Sequence, residues 1–312
     1  MAEIIYLNGY LVPRSKARLS PFDHGFLYGY GLFETMRAYN GHIFRLDRHL
    51  TRLRRSAQSL GLARNVIAMS RSPEYKEGEA KQSLETACRE TLKANKLKDA
   101  RLRLTISAGE GDMTPAPGTC SGLTILVTAK NFVPLPPQRY EQGFKAALSS
   151  VHRNSQSPLS RLKSTCYLEN ILARTEANLK WASKLAPTAG GVDEAIMLNE
   201  RGHLAEGSIS NIFLVSQGML ITPSLESGVL PGITREAVLE IAQASNIKAV
   251  EREVELKELT LAGEALITNS ILEIMPLTSF DGKPIGAGKP GELTKNLMAA
   301  YRKLVNTETE VS

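Results

Sequence analysis

The chain has 312 residues, 42% hydrophobic and 22% charged, which allows two domains at roughly 100 to 200 residues each and matches an ordinary globular protein. No run approaches the roughly eighteen uninterrupted apolar residues of a membrane span, and Met1-Ala2-Glu3-Ile4 lacks the basic start and apolar stretch of a secretion signal, so a cytosolic protein with no membrane partner is expected. The formal charge of +6 does not choose among partners, and three widely spaced cysteines, Cys88, Cys120 and Cys166, suggest reduced thiols rather than a disulfide framework or a metal site.

Two Asn-Gly pairs, Asn8-Gly9 and Asn40-Gly41, each separate short apolar runs and read as hairpin turns. Leu46, Leu50, Leu53, Ala57 and Leu60 recur every three or four residues, which predicts a helix from about Asp47 to Gly61. A second helix is expected over Ser83 to Asn95, and Arg101 to Ser107 alternates polar and apolar residues as a strand does. Between the two helices, Ser70 to Lys81 is charged and reads as a surface insertion. The prolines of Asn131 to Pro137 discourage helix and sheet, which predicts a linker at 131–138 between an N-terminal domain (1–130) and a larger C-terminal one (139–312). Strands are expected at 123–128, 146–151, 194–198, 211–215, 219–222, 265–268 and 274–280, and helices at 167–184, 234–245 and 291–306. The fold class is α+β, and neither glycine-rich nucleotide loop is present.

Four segments carry groups that suit chemistry. Lys163 stands between a Ser/Pro-rich loop and a periodic helix; alone, such a lysine is more often a solvated charge than a reactive amine. Glu206 lies in the small-residue turn Ala205-Glu206-Gly207-Ser208 before an apolar strand, a place where a carboxylate commonly faces water. Gly228 to Arg235 is a tight turn opening a helix, whose first N–H groups can seat a phosphate. Thr268-Asn269-Ser270-Ile271 ends a strand with small polar residues, either a phosphate contact or a plain loop.

In this order, and with Ser20 to Arg37 and His49 to Ala57, these segments make the chain resemble the class IV aminotransferases, the fold type IV enzymes that use pyridoxal 5′-phosphate, over about residues 4 to 280. The resemblance implies a small N-terminal α/β domain and a larger C-terminal β-barrel-like domain with helices, a homodimer, and a cofactor held between domains. It implies that Lys163 forms the Schiff base with the cofactor aldehyde and moves the substrate α-proton, and that Glu206 faces the pyridine nitrogen. Arg52, Ile233, Thr234, Ser270 and Ile271 become phosphate contacts, and Leu230 packs on the ring. Tyr28, Tyr30, Phe33, Thr35, Arg37, Arg101 and Arg103 become candidate substrate contacts, arginine suiting a carboxylate through two parallel hydrogen bonds. Arg45, Arg48, Arg54 and Arg55 share the helix of Arg52 and are read as solvated rather than as a nucleic-acid surface.

The implied reaction moves an amino group between an amino acid and a 2-oxo acid. Thr35, where branched-chain members carry glycine, and Ser164-Thr165-Cys166, where they carry a Gly-Gly-Asn run, depart from the branched-chain pattern. Phe33 to Arg37, Arg103 to Gly109, Glu206 to Asn211 and Thr268 to Glu273 are also similar to aminodeoxychorismate lyases, which release pyruvate and 4-aminobenzoate, and to D-amino-acid transaminases. A non-catalytic binding protein on the same fold is a third reading. The donor, the acceptor and the choice of D or L substrate stay open.

Overall fold

The computed structural model describes residues 3–62, 83–184 and 191–309. The expected insertion at 70–81 lies outside the described residues. The chain divides into two compact units: Met1–Val133 with Leu162–Cys166 and Val305–Ser312, and Pro134–Arg161 with Tyr167–Leu304.

The first unit opens with β1 (Ile4–Leu7) and β2 (Tyr10–Pro13), joined at Asn8 (φ 49°) and Gly9 (φ 102°). A two-residue hairpin turn of this kind needs positive φ at both positions, which asparagine and glycine tolerate. After α1 (His24–Tyr28), capped by the Asp23 carboxylate, β3 (Gly31–Tyr39) and β4 (His42–Ile43) repeat the device at Asn40 and Gly41. Helices α2 (Leu46–Ser59) and α3 (Leu84–Ala94) follow, then β5 (Ala100–Ser107) and β6 (Thr124–Asn131).

The six strands form an antiparallel sheet in the order β2-β1-β6-β5-β3-β4. Leu50, Leu53 and Ala57 of α2 and Leu84, Ala87 and Leu92 of α3 join Met36, Leu102, Leu104 and Val127 in one core. The opposite face carries Phe33, Thr35 and Arg37 of β3 beside Thr105, Arg103 and Arg101 of β5, in register. Alternation along a strand sends these residues to one side and the core residues to the other.

Leu162–Cys166 also belongs to this unit, although the chain around it does not. The Phe33 N–H donates to Lys163 O (2.8 Å) and the Thr165 N–H to Gly31 O (2.9 Å), so the lysine segment is a short antiparallel rung against the start of β3. A single cut at the linker does not describe this arrangement, because backbone pairing rather than sequence adjacency places those residues.

The second unit contains α4 (Pro137–Gln142), β7 (Phe144–Leu148), α5 (Leu168–Lys184), β8 (Glu194–Leu198), β9 (Leu204–Gly207), β10 (Asn211–Ser216) and β11 (Met219–Pro223). These are followed by α6 (Ile233–Ala244), β12 (Ala249–Arg252), α7 (Leu256–Leu261), β13 (Glu264–Asn269), β14 (Glu273–Phe280), β15 (Lys283–Pro284) and α8 (Glu292–Thr309), whose residues from Val305 onward belong to the first unit. The sheet runs β12-β11-β10-β13-β14-β7-β8-β9, with β15 on β14. Only Ser208 to Ser210 separate β9 from β10, which stand five strands apart in that order. In a flat sheet the gap would be about 24 Å, whereas the link reaches at most about 15 Å, so the sheet curls, as a barrel-like domain requires.

The proline-rich segment is not wholly extended. Pro137 occupies the first turn of α4, where a missing N–H costs nothing because that group has no partner within the helix. Of the arginines read as solvated, Arg45, which caps the start of α2, is not: its side chain is 7% exposed and pairs with Glu308 (3.0 Å).

Candidate active site

In the first unit, Lys163 Nζ lies 4.8 Å from the centroid of the Phe33 ring, and the Arg103 guanidinium carbon lies 3.7 Å from the same centroid. The two cationic side chains therefore meet over one aromatic ring on the outer face of β3 and β5. Arg37 is held elsewhere, stacked on Tyr39 (4.4 Å) and Phe132 (4.3 Å), while its register partner Arg101 is exposed and Thr35 is half-buried beside Arg103. Tyr30 donates its hydroxyl to Leu60 O (2.6 Å), and Tyr28 donates to Met113 O. Both tyrosine hydroxyls thus serve backbone contacts of the first unit.

Arg52 is buried on α2, where Nε donates to Glu34 Oε1 (2.8 Å) and Nη2 to Oε2 (2.5 Å). His49, one turn earlier, gives its Nδ1–H to the same Oε2 (2.7 Å). Burial opposes ionisation of Glu34, but the Arg52 charge and the His49 hydrogen bond outweigh it and hold the carboxyl at about 2. For His49, burial comes first and lowers its proton affinity; the Glu34 hydrogen bond and charge raise it, the charges of Arg52 and Lys163 lower it, and the net direction is below the ordinary imidazole value. This carboxylate fixes the guanidinium expected to meet a phosphate.

In the second unit, Glu206 is buried at the end of β9. Its Oε2 accepts from Leu230 N–H (3.0 Å) and, more weakly, from the Asn211 amide (3.4 Å), while Arg153 Nε stands 3.4 Å from Oε1. Asn211 also donates to Leu230 O (2.9 Å), which ties the carboxylate to the loop before α6. That helix begins at Ile233 and Thr234, both buried, with Gly232 as a cap that offers no side chain to the first N–H groups. A Cβ on Gly232 would come within 2.0 Å of Asn211 Oδ1, so only glycine fits between the carboxylate's support and the helix start.

Thr268 lies opposite Asn211 in register, and its buried Oγ1 has no hydrogen-bond partner. Beyond it, Asn269 Oδ1 accepts from Ile271 N–H (2.9 Å) and Leu272 N–H (2.8 Å), which shapes the turn carrying Ser270 and Ile271. Tyr167 donates to Ser208 O (3.2 Å), as does Asn170 (2.7 Å), so the turn after Glu206 is anchored from α5 and the residue before it.

The structure thus groups Lys163, Phe33 and Arg103, with Arg52 in its own carboxylate clamp, in one unit, and Glu206, Leu230, Ile233 and Thr234 in the other. It adds Glu34, His49, Arg153 and Asn211, which sequence reasoning did not single out as site residues, and it marks Thr268 within the segment read as a phosphate contact or a plain loop. Asn211 directly follows the turn of Glu206 and His49 precedes Arg52 by one helical turn, so spacing was an available signal for those two. Arg153 had none.

The family model for amino-transferase class IV matches residues 31–280. The chain belongs to the class IV aminotransferases. It is 37% identical over 301 residues to a putative branched-chain-amino-acid aminotransferase of Methanocaldococcus jannaschii, covering 96% of each chain. It is 36% identical to the aminodeoxychorismate lyase of Bacillus subtilis, covering 96% of this chain and 94% of that one. Among solved structures, the branched-chain amino acid aminotransferase of Escherichia coli superposes with a TM-score of 0.85 at 29% identity, covering 99% of this chain and 97% of that one. A second branched-chain amino acid aminotransferase, solved with pyridoxamine 5′-phosphate, gives a TM-score of 0.85 at 27% identity, covering 99% of this chain and 95% of that one.

The cofactor of this class IV aminotransferase is pyridoxal 5′-phosphate. The residues present fit that group. A helix start without a side-chain cap and an orphaned buried hydroxyl suit a phosphate, and a buried carboxylate backed by an arginine suits a protonated ring nitrogen. Among the described residues, no cluster of metal-ligating side chains is found and no helix is long and apolar enough to cross a membrane.

Proposed function

We propose that this aminotransferase moves an amino group between an amino acid and a 2-oxo acid with Lys163 as the proton-carrying amine and Glu206 as the ring-facing carboxylate. Bound pyridoxal phosphate supplies the aldehyde that receives the amino group and the ring that draws electrons from the substrate α-carbon. Lys163 binds the aldehyde and later carries the proton between the substrate α-carbon and the cofactor carbon. Glu206 favours the protonated ring nitrogen, and Leu230 covers the ring. The α6 N-terminus at Ile233 and Thr234, the Ser270-Ile271 turn and Arg52 hold the phosphate. Arg103, beside Lys163 on the Phe33 ring, orients a substrate carboxylate, with Arg101, Arg37 and Thr35 on the same face.

The observation that carries this reading is the hydrogen bond from Leu230 N–H to Glu206, which joins a buried carboxylate to the loop opening an uncapped helix start. Borohydride reduction of the loaded protein followed by peptide mapping is expected to find the cofactor mass on Lys163; a modified peptide elsewhere overturns the assignment. Assays with D-alanine, L-glutamate and L-leucine, each with a 2-oxo acid, identify the donor. Pyruvate release from aminodeoxychorismate without an amino acceptor would instead identify a lyase.

The enzyme works as a homodimer in the cytosol. Support for the dimer comes from α5, where Leu168, Ile171, Leu172 and Leu179 are 66%, 56%, 51% and 66% exposed at helical spacing, an apolar stripe suited to a second copy of the chain. Three unpaired cysteines suit a reducing compartment. Leu172→Asp is expected to halve the mass measured by light scattering; an unchanged mass refutes this interface.

A further inference from the structure

Arg153 is 8% exposed, and no short motif in the sequence marks it. Its backbone is fixed: its N–H donates to Leu198 O (2.8 Å) and its carbonyl accepts from Glu200 N–H (3.1 Å), a parallel bridge beyond the end of β8. Its side chain then spreads three ways. Nη2 donates to Ser160 O (2.9 Å), Nη1 lies 3.4 Å from Glu169 Oε2, and Nε lies 3.4 Å from Glu206 Oε1.

The distribution of donors on Glu206 gives this contact its meaning. Both neutral donors, Leu230 N–H and the Asn211 amide, reach Oε2. Arg153 alone of these contacts is charged, and it approaches Oε1. A buried carboxyl with only neutral donors lowers its energy most cheaply by taking up a proton, because desolvation penalises the charged form. A protonated carboxyl would donate to a ring nitrogen, whereas an ionised one accepts from it. The arginine therefore decides in which direction that hydrogen bond runs.

We propose that Arg153 is a positioning residue that keeps Glu206 ionised and oriented, so that the cofactor ring nitrogen carries the proton. This rests on the reading of Glu206 as the ring-facing carboxylate. Glu169, on α5, and Ser160 hold the guanidinium from its far side, so the orientation of Arg153 does not depend on whether the cofactor is bound.

The test loads wild-type protein and the variants Arg153→Gln, Arg153→Lys and Glu206→Gln with pyridoxal phosphate labelled with nitrogen-15 in the ring, and reads the ring-nitrogen chemical shift. Wild type is expected to show a protonated pyridinium and Glu206→Gln a neutral pyridine. Arg153→Gln is expected to move at least half-way to the Glu206→Gln value, while Arg153→Lys, which keeps the charge, stays within the wild-type quarter of that span. A wild-type shift in folded Arg153→Gln overturns the proposal. Should Arg153→Gln not fold, Arg153→Lys decides: a neutral-type shift there overturns it and a wild-type shift supports it. If Glu206→Gln itself leaves the shift unchanged, the ring-facing role of Glu206 fails, and this inference with it, a result distinct from failure at Arg153 alone. A purely structural arginine would alter cofactor occupancy or thermal stability without moving the shift.

Discussion

Glu34→Gln isolates the charge at the centre of the first unit. The glutamine keeps the size of the side chain and one acceptor oxygen but leaves Arg52, 8% exposed, without its counter-ion. Two independent routes give the magnitude. Removing one partner of a buried ion pair costs about 3 to 5 kcal/mol. The carboxyl itself is held at about 2 against an ordinary 4.5, a linkage contribution of about 3 kcal/mol at neutral pH.

Because the folded value is depressed, this stability is fully present above about 4.5 and is lost as pH falls through about 2. At pH 3.5 about 1.4 kcal/mol of it has gone, so the gap between wild type and Glu34→Gln should narrow by that amount. Hydrogen exchange of the Leu46–Ser59 peptide at pH 7 is expected to speed up about 100-fold in the variant, equivalent to about 3 kcal/mol. Urea unfolding at pH 7 and pH 3.5 measures the narrowing. A loss below about 1 kcal/mol at pH 7, or a gap identical at both pH values, would refute an ionised, charge-compensated Glu34.

Gly232→Ala is expected to weaken pyridoxal phosphate binding at least about tenfold, since its Cβ would fall 2.0 Å from Asn211 Oδ1, whereas Gly118→Ala, with nothing within 4 Å, should bind as wild type; equal titration curves for all three proteins would sink the claim. Burial pushes the Cys88 thiol up to about 12, so Ellman's reagent should leave it unlabelled in native protein and reach it only in urea. Rapid labelling of all three cysteines before unfolding would contradict that burial.

Local sequence signals were sufficient wherever one residue's backbone preference or a short periodicity decides the outcome. Asn8-Gly9 and Asn40-Gly41 marked the hairpins because few other pairs accept positive φ twice. The leucines of α2 marked its buried stripe, and the helix start at Ile233 was legible because it follows a turn motif only a few residues long. Short elements escaped: β9 and β12 have four residues each, and α7 has six, too few for a periodic pattern to show.

Tertiary structure decided what depends on residues far apart in the chain. Lys163 joins the sheet of the first unit because β3 offers unpaired backbone groups, a property of strand order rather than of the lysine's own neighbours. Arg45 pairs with Glu308 from the far end of the chain, and Glu206 is backed by Arg153 across half a hundred residues. A charge leaves water only when an opposite charge or enough donors meet it, and only the folded chain specifies which ones do.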